Sequence, residues 1–292
     1  MQTTIRKPVA ISGVGLHTGC RVNVTLKPAP EDTGVVFRRV DLQGFRIEAV
    51  RRHVSRVVLA TTLMKKGVML STVEHLLSAL YGSGIDNVFV DIDSLELPIL
   101  DGSARPYVDL LGEAGVREQS RERVFLRVVS EAKLSDGDKW IDIRPHPAFR
   151  VSYEISFAHP MIGSQRLDLQ VTPASYAREL AFARTFGFYS EAEELLKKGL
   201  IRGGSTDNAV VLTEDGLLNG ELRAPDEFVR HKTLDLIGDL SLCGHPILGY
   251  ITAHRAGHAL HTGLATLFSN SSSLTRQVTE SELAQEGLAV AL

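Results

Sequence analysis

Cysteine is nearly absent from this chain. Its 292 residues include only Cys20 and Cys243, far apart and in no Cys-x-x-Cys array, which excludes a disulfide framework and a thiolate zinc site. Any metal held here must use histidine and carboxylate ligands. No apolar run approaches the roughly 18 to 20 residues of a membrane span. The amino terminus, MQTTIRKPVAISGVGL, lacks the charged start, long apolar core and cleavage site of a signal peptide. These absences lead to the expectation of a cytoplasmic protein with no integral membrane segment. Nor is there a surplus of one charge: the net value is −3 with acids and bases interspersed, so the broad basic footprint of a nucleic-acid binder is missing. A His-Glu-x-x-His helix, the mark of many metallopeptidases, is missing too.

What is present is ample core material. Hydrophobic residues make up 43%, enough for one large domain or two of ordinary size. From Arg6 to Val40 apolar residues tend to alternate and glycine-rich turns recur, which predicts strands joined by tight turns. The Gly-x-Gly of ISGVGLHTG leads into RVNVTL, another strand, whereas a dinucleotide loop must lead into a helix. Ser71 to Tyr81 (STVEHLLSALY) predicts a helix with Ser71 or Thr72 as its cap, Glu74 in the first turn and Val73, Leu76, Leu77 and Leu80 as its buried stripe. Beside that stripe, His75 suits either a boundary histidine or a ligand. A strand, DNVFVDI, and a helix over about 105–111 follow. The charged, poorly periodic GEAGVREQSRER is the linker candidate.

Beyond it, VFLRVVSEAKL, WIDIRPH and FRVSYEISF predict strands. EAEELLKKGL follows as an amphipathic segment near 188–203, where Leu195, Leu196, Leu200 and Ile201 form either a small packed subdomain or one wall of an apolar channel. In FVRHKTLDLIGDL, from Phe228 to Leu240, His231, Asp235 and Asp239 recur every four residues and share one helix face. An imidazole and a carboxylate one turn apart can reach one divalent cation, although the same spacing also serves an exposed helix with paired charges. A third ligand must come from elsewhere. The halves run in parallel: Val73-Glu74-His75 and Val229-Arg230-His231 each open a helix leading to an apolar strand, a glycine-containing loop and another helix. This predicts an internal duplication, with domains at 1–120 and 121–292. Two such halves packed face to face could bring His75 and His231 to one metal.

STVEHLLSALYGSGIDNV, LPILDGSARPYV, ARTFGF, GGS, EFVRHKTLDLIGDLSLCGHPILG and AGHAL, in this order, resemble the UDP-3-O-acyl-N-acetylglucosamine deacetylase family, zinc enzymes that commit bacteria to lipid A synthesis. The resemblance covers nearly the whole chain. It implies an α+β fold of two pseudo-repeated sheet-and-helix sandwiches with the active site between them, and an acylated UDP-amino sugar as substrate; a monomer is the expectation, although the sequence does not determine the oligomeric state. Position by position, it implies Zn2+ on His75, His231 and Asp235, Glu74 as general base, and His258 as general acid or electrostatic partner, oriented by Asp239. It further implies Thr185 at the oxyanion and Lys232 and Phe186 along the nucleotide sugar; a hydrophobic insertion beside a polar metal site leads to the expectation that the segment around Leu200 lines a passage for the acyl chain. Ala60-Thr61-Thr62, where some relatives carry a cysteine, receives no role.

Overall fold

In the computed structural model, which describes residues 1–218 and 220–288, two sheets of matching topology enclose a pair of buried helices. The first sheet comprises β1 (Val9–Val14), β2 (Arg21–Pro28), β3 (Val35–Arg39), β4 (Phe45–Glu48) and β5 (Val88–Ile92), ordered β1-β2-β5-β3-β4. The second has seven strands: five that match the first sheet, β6 (Ala132–Asp136), β7 (Lys139–Arg144), β8 (Phe149–Phe157), β9 (Gly163–Gln170) and β10 (Ile247–His254), ordered β6-β7-β10-β8-β9, and two more, Val124–Val128, parallel to the start of β10, and Thr275–Thr279, antiparallel to Val124–Val128. In each, the late central strand is antiparallel to the second strand and parallel to the third. One connectivity thus occurs twice, in agreement with the repeat read from the sequence. The carboxy-terminal limit expected for the second half, residue 292, lies outside the described residues.

Alternation accounts for the strands: Val22, Val24 and Leu26 of β2 point inward and are fully buried, while the residues between them face outward. The longer helices are α1 (Glu74–Gly82), α2 (Arg105–Ala114), α3 (Tyr189–Lys197), α4 (Glu227–Leu240) and α5 (His258–Asn270), with short ones at Pro173–Ser175 and Glu280–Gln285. In each half one helix precedes the central strand and one follows it. α1 and α4 are buried on nearly every face, as helices at the centre of a molecule must be. They pack on each other, and α4 also lies on β8 and β9. The approach depends on Gly238, because a Cβ there would sit 2.1 Å from the carbonyl oxygen of Glu74. A mid-helix glycine costs about 1 kcal/mol relative to alanine. That is less than the roughly 1–3 kcal/mol of overpacking it avoids. Alongside, Ser78 Oγ donates to the Leu234 carbonyl at 2.8 Å, tying α1 to α4.

Two local expectations are corrected. α1 begins at Glu74, and neither Ser71 nor Thr72 caps it: Thr72 has φ +58° and its hydroxyl donates to Glu96, while Ser71 Oγ pairs with Thr62 Oγ1. The segment read as a linker contains the end of α2 and a strand, Val116–Glu118, antiparallel to Thr3–Ile5. It ends at Arg123, buried and bound to Asp86 at 2.7 and 3.0 Å. Pairing with the amino-terminal strand, invisible in local sequence, orders it. The ISGVGLHTG turn joins β1 to β2 with no helix after it, and the Glu96 carboxylate accepts the N–H groups of His17 and Thr18 at 2.8 Å each.

Candidate active site

The first turn of α1 carries Glu74 and His75, and α4 carries His231, Asp235 and Asp239 on successive turns. Because Gly238 lets the helices touch, His75 Nε2 and His231 Nε2 lie 3.6 and 3.4 Å from the same oxygen, Oδ1 of Asp235. The two rings stand perpendicular with centroids 5.1 Å apart. One ligating atom from each of the three residues lies within 4.8 Å of the others. All three are buried. His231 Nδ1 is 3.1 Å from the Ala183 carbonyl, which fixes the proton on Nδ1 and leaves the Nε2 lone pair toward the cluster, the usual arrangement of a metal-binding histidine. Burial pushes the His231 pKa down to about 4 against the pull of Asp235, so the ring is neutral at pH 7. Burial would raise Asp235, but His231 and Lys232 hold its carboxyl well below the ordinary range. Two imidazoles and one carboxylate around a common point fit a divalent cation such as zinc.

Glu74 is buried beside this group, and its Oε2 accepts the backbone N–H of Thr61 at 3.0 Å. Burial raises its pKa, against the attraction of His258 and His75. Gly257 breaks the chain between β10 and α5, leaving His258 at the helix start with Nδ1 2.7 Å from Asp239 Oδ2. Burial opposes the imidazolium there. The Asp239 charge and hydrogen bond, with Asp235 and Glu74, outweigh it and raise the pKa to about 9. Asp239 is completely buried; burial works against its charge, but His258 and His261 keep it below the usual carboxylate range. Its Oδ2 also lies 2.9 Å from His261 Nδ1, and its Oδ1 accepts the Thr61 hydroxyl at 2.6 Å. Asp239, His258 and His261 also lie within ligating distance of one another. Their facing atoms are already joined by hydrogen bonds, which makes them a proton-holding network.

Of the remaining sequence candidates, Lys232 and Phe186 adjoin this centre. Lys232 Nζ donates to the outer oxygen of Asp235 at 3.0 Å and lies 5.6 Å from the Phe186 ring centroid. Phe186 meets Phe228 edge-on at 4.9 Å and His231 at 6.3 Å. Thr185 is held by its backbone, its N–H donating to Gly102 and its carbonyl accepting from Val210, each at 2.8 Å. Leu200 is farther along the insertion that contains α3. This helix buries no residue, and none of Leu195, Leu196, Leu200 or Ile201 packs against the core. The insertion is strapped to the β1–β2 turn through Arg202 N–H to His17 O and Gly203 N–H to Leu16 O.

Sequence reasoning missed two members of the centre. His261 could have been found, since it lies three residues after His258 and therefore on the same helix face. Thr61 carries no such signal, being 178 residues from Asp239. A cavity of about 500 Å³ opens at the far end of α1, lined by Tyr81, Arg123, Phe149 and His245 among others. The ligating and acid–base groups converge at the other end, so the chemistry and not this cavity marks the site.

Comparison with known proteins gives a consistent picture. A family model described as UDP-3-O-acyl N-acetylglycosamine deacetylase matches residues 2–269. The chain is 51% identical over 284 residues to the UDP-3-O-acyl-N-acetylglucosamine deacetylase of Solibacter usitatus, covering 97% of this chain and 96% of that protein. It is 47% identical to the protein of the same name from Idiomarina loihiensis, over 90% of this chain and 88% of that one. With that of Oleidesulfovibrio alaskensis the identity is 46%, over 99% and 96%.

Proposed function

The chain belongs to the UDP-3-O-acyl N-acetylglycosamine deacetylase family, and from that premise we propose that it deacetylates UDP-3-O-acyl-N-acetylglucosamine with a zinc ion held by His75, His231 and Asp235. The reaction releases acetate and UDP-3-O-acyl-glucosamine, the committed step of lipid A biosynthesis. The convergence of two imidazoles and a carboxylate from both halves, flanked by Glu74 and the His258–Asp239 pair, carries this reading. When bound, zinc supplies Lewis acidity, acidifying a water and polarising the amide carbonyl.

The chain supplies the proton transfers. Glu74, its Oε2 held by Thr61, accepts the proton of the attacking water through its other oxygen. His258 has Nδ1 engaged by Asp239, so Nε2 is the atom that holds and delivers a proton to the departing amine. Thr185 hydrogen-bonds the developing oxyanion. Lys232 leaves Asp235 to meet the diphosphate as a point charge, Phe186 lies along the sugar, and the unpacked leucines around Leu200 face the acyl chain. At about 0.8 kcal/mol per buried methylene, a long chain gains several kcal/mol from such a wall.

We take the two domains to divide near residue 120 and the protein to act as a cytoplasmic monomer. Among the described residues no helix is long and apolar enough to cross a membrane. Incubating purified protein with UDP-3-O-acyl-N-acetylglucosamine and following acetate release before metal removal, after it and after zinc restoration tests the function. Binding of substrate without chelator-sensitive turnover would identify a lipid or nucleotide-sugar binder instead.

A further inference from the structure

Thr61 is fully buried and, among the described residues, is alone in hydrogen-bonding both catalytic carboxylates. Its backbone is docked on the start of α1 from two directions: its N–H donates to Glu74 Oε2 at 3.0 Å, and its carbonyl accepts the Val73 N–H at 3.3 Å. Its hydroxyl reaches across to α4 and donates to Asp239 Oδ1 at 2.6 Å. The approach is set two residues earlier, where Leu59 takes a left-handed backbone with φ +65°, an unfavourable conformation for a branched side chain. Asp239 Oδ2 is already shared by the Nδ1 atoms of His258 and His261 at 2.7 and 2.9 Å. Oδ1 is therefore the oxygen left to be satisfied, and the Thr61 hydroxyl satisfies it.

We propose that Thr61 is a positioning residue that fixes the base and the acid relative to each other, clasping Glu74 through its N–H and the Asp239–His258 pair through its hydroxyl. The inference rests on reading Glu74 as base and His258 as acid. Without the hydroxyl, Oδ1 becomes a buried acceptor with no donor. The carboxylate is then held on one side only and can turn Oδ2 away from His258 Nδ1. Valine keeps the shape and the backbone N–H but lacks the hydroxyl; serine keeps the hydroxyl and drops a methyl.

The test uses metal-loaded full-length enzyme and compares Thr61→Val, Thr61→Ser, Asp239→Asn and the double variant Thr61→Val/Asp239→Asn, each with its metal content and melting temperature. Losing a buried hydrogen bond to a charged group corresponds to a fall in kcat of about ten- to a hundredfold in Thr61→Val. KM should stay within about twofold, because the defect lies in transition-state geometry. Serine should restore kcat to within about threefold. In the Asp239→Asn background the valine substitution should cost less than about twofold more, the non-additivity expected of residues acting as one unit. Full kcat in Thr61→Val overturns the inference, as does a serine variant as impaired as valine, or an equal loss in the Asp239→Asn background. If Thr61→Val does not fold, Thr61→Cys, similar in size with a weak donor, undergoes the same cycle. Full activity in Glu74→Gln and Asp239→Asn would instead remove the acid–base reading itself, an outcome distinct from failure of the clasp.

Discussion

A carboxylate that must take a proton and an imidazolium that must give one have to be in opposite states at working pH. The surroundings of His258 favour its imidazolium, whereas burial of Glu74 works against its carboxylate. Glu74 is raised by burial, so activity should fall on the acid side at a pH above the ordinary carboxylate value. His258 is raised to about 9, so it is protonated at neutral pH and the rate should decline as pH rises through that value. A bell-shaped profile of kcat/KM is the expected result. Asp239→Asn removes the charge that holds His258 up. Burial then dominates and the basic limb should move to lower pH with zinc still bound, whereas an unmoved limb would assign it to another group. Glu74→Gln should keep its metal and lose about a hundredfold to ten-thousandfold in turnover; near-normal acetate release would transfer the base role elsewhere. His231→Ala should lose most bound metal by elemental analysis, and full occupancy would remove it from the ligand set.

At the scale of elements, the decisive contact is the crossing of α1 and α4. Gly238→Ala introduces a Cβ against the Glu74 carbonyl, where backbone cannot yield as a side-chain tip can. A destabilisation of about 1–3 kcal/mol is expected in denaturant unfolding, accompanied by weaker metal retention because the ligands stand on both helices. Unchanged stability and metal affinity would show that the crossing tolerates a wider spacing. The same crossing shows what the sequence could and could not reveal. FRVSYEISF was legible because its alternation matches one buried face, and β8 spans those nine residues. The Phe228–Leu240 helix was legible because its polar residues recur every turn. Thr72 misled because a threonine before a helix usually caps it, yet here a left-handed backbone turns the hydroxyl to Glu96. The strand at Val116–Glu118 was illegible because its partner lies more than a hundred residues earlier. Thr61 was hidden for the same reason: its value depends on a neighbour contributed by the other half.

For the whole molecule, a metal whose ligands come from both halves binds the folded protein and not the separated chain segments. Chelation should therefore lower the melting temperature as well as activity, and zinc should restore both; a ligand at 100 times its Kd stabilises by about 2.7 kcal/mol. Equal melting temperatures with and without metal would argue against a shared centre. The insertion offers a separate test: a charge at Leu200 should raise KM more for a long-chain than a short-chain substrate if its unpacked leucines face the acyl group. Uniform effects across chain length in a folded variant would return it to a structural role.

The twice-used connectivity has a consequence for ancestry. Descent from one duplicated half would give every position a counterpart, and the counterparts here have diverged unequally. Both copies keep a histidine near the start of the helix that precedes the central strand, His75 in one and His231 in the other. The residue before it differs: Glu74 faces the centre, while Arg230 is bound to Asp226 and Glu179. After the central strand the second copy begins its helix with His258, and the first with Arg105, whose guanidinium is bound to the Ala177 carbonyl. A pair of identical copies would present the same groups from both sides and could not tell one end of an amide from the other. Under the roles proposed for Glu74 and His258, divergence assigns proton acceptance to one copy and proton donation to its sibling, giving a symmetric ancestor's meeting point a direction.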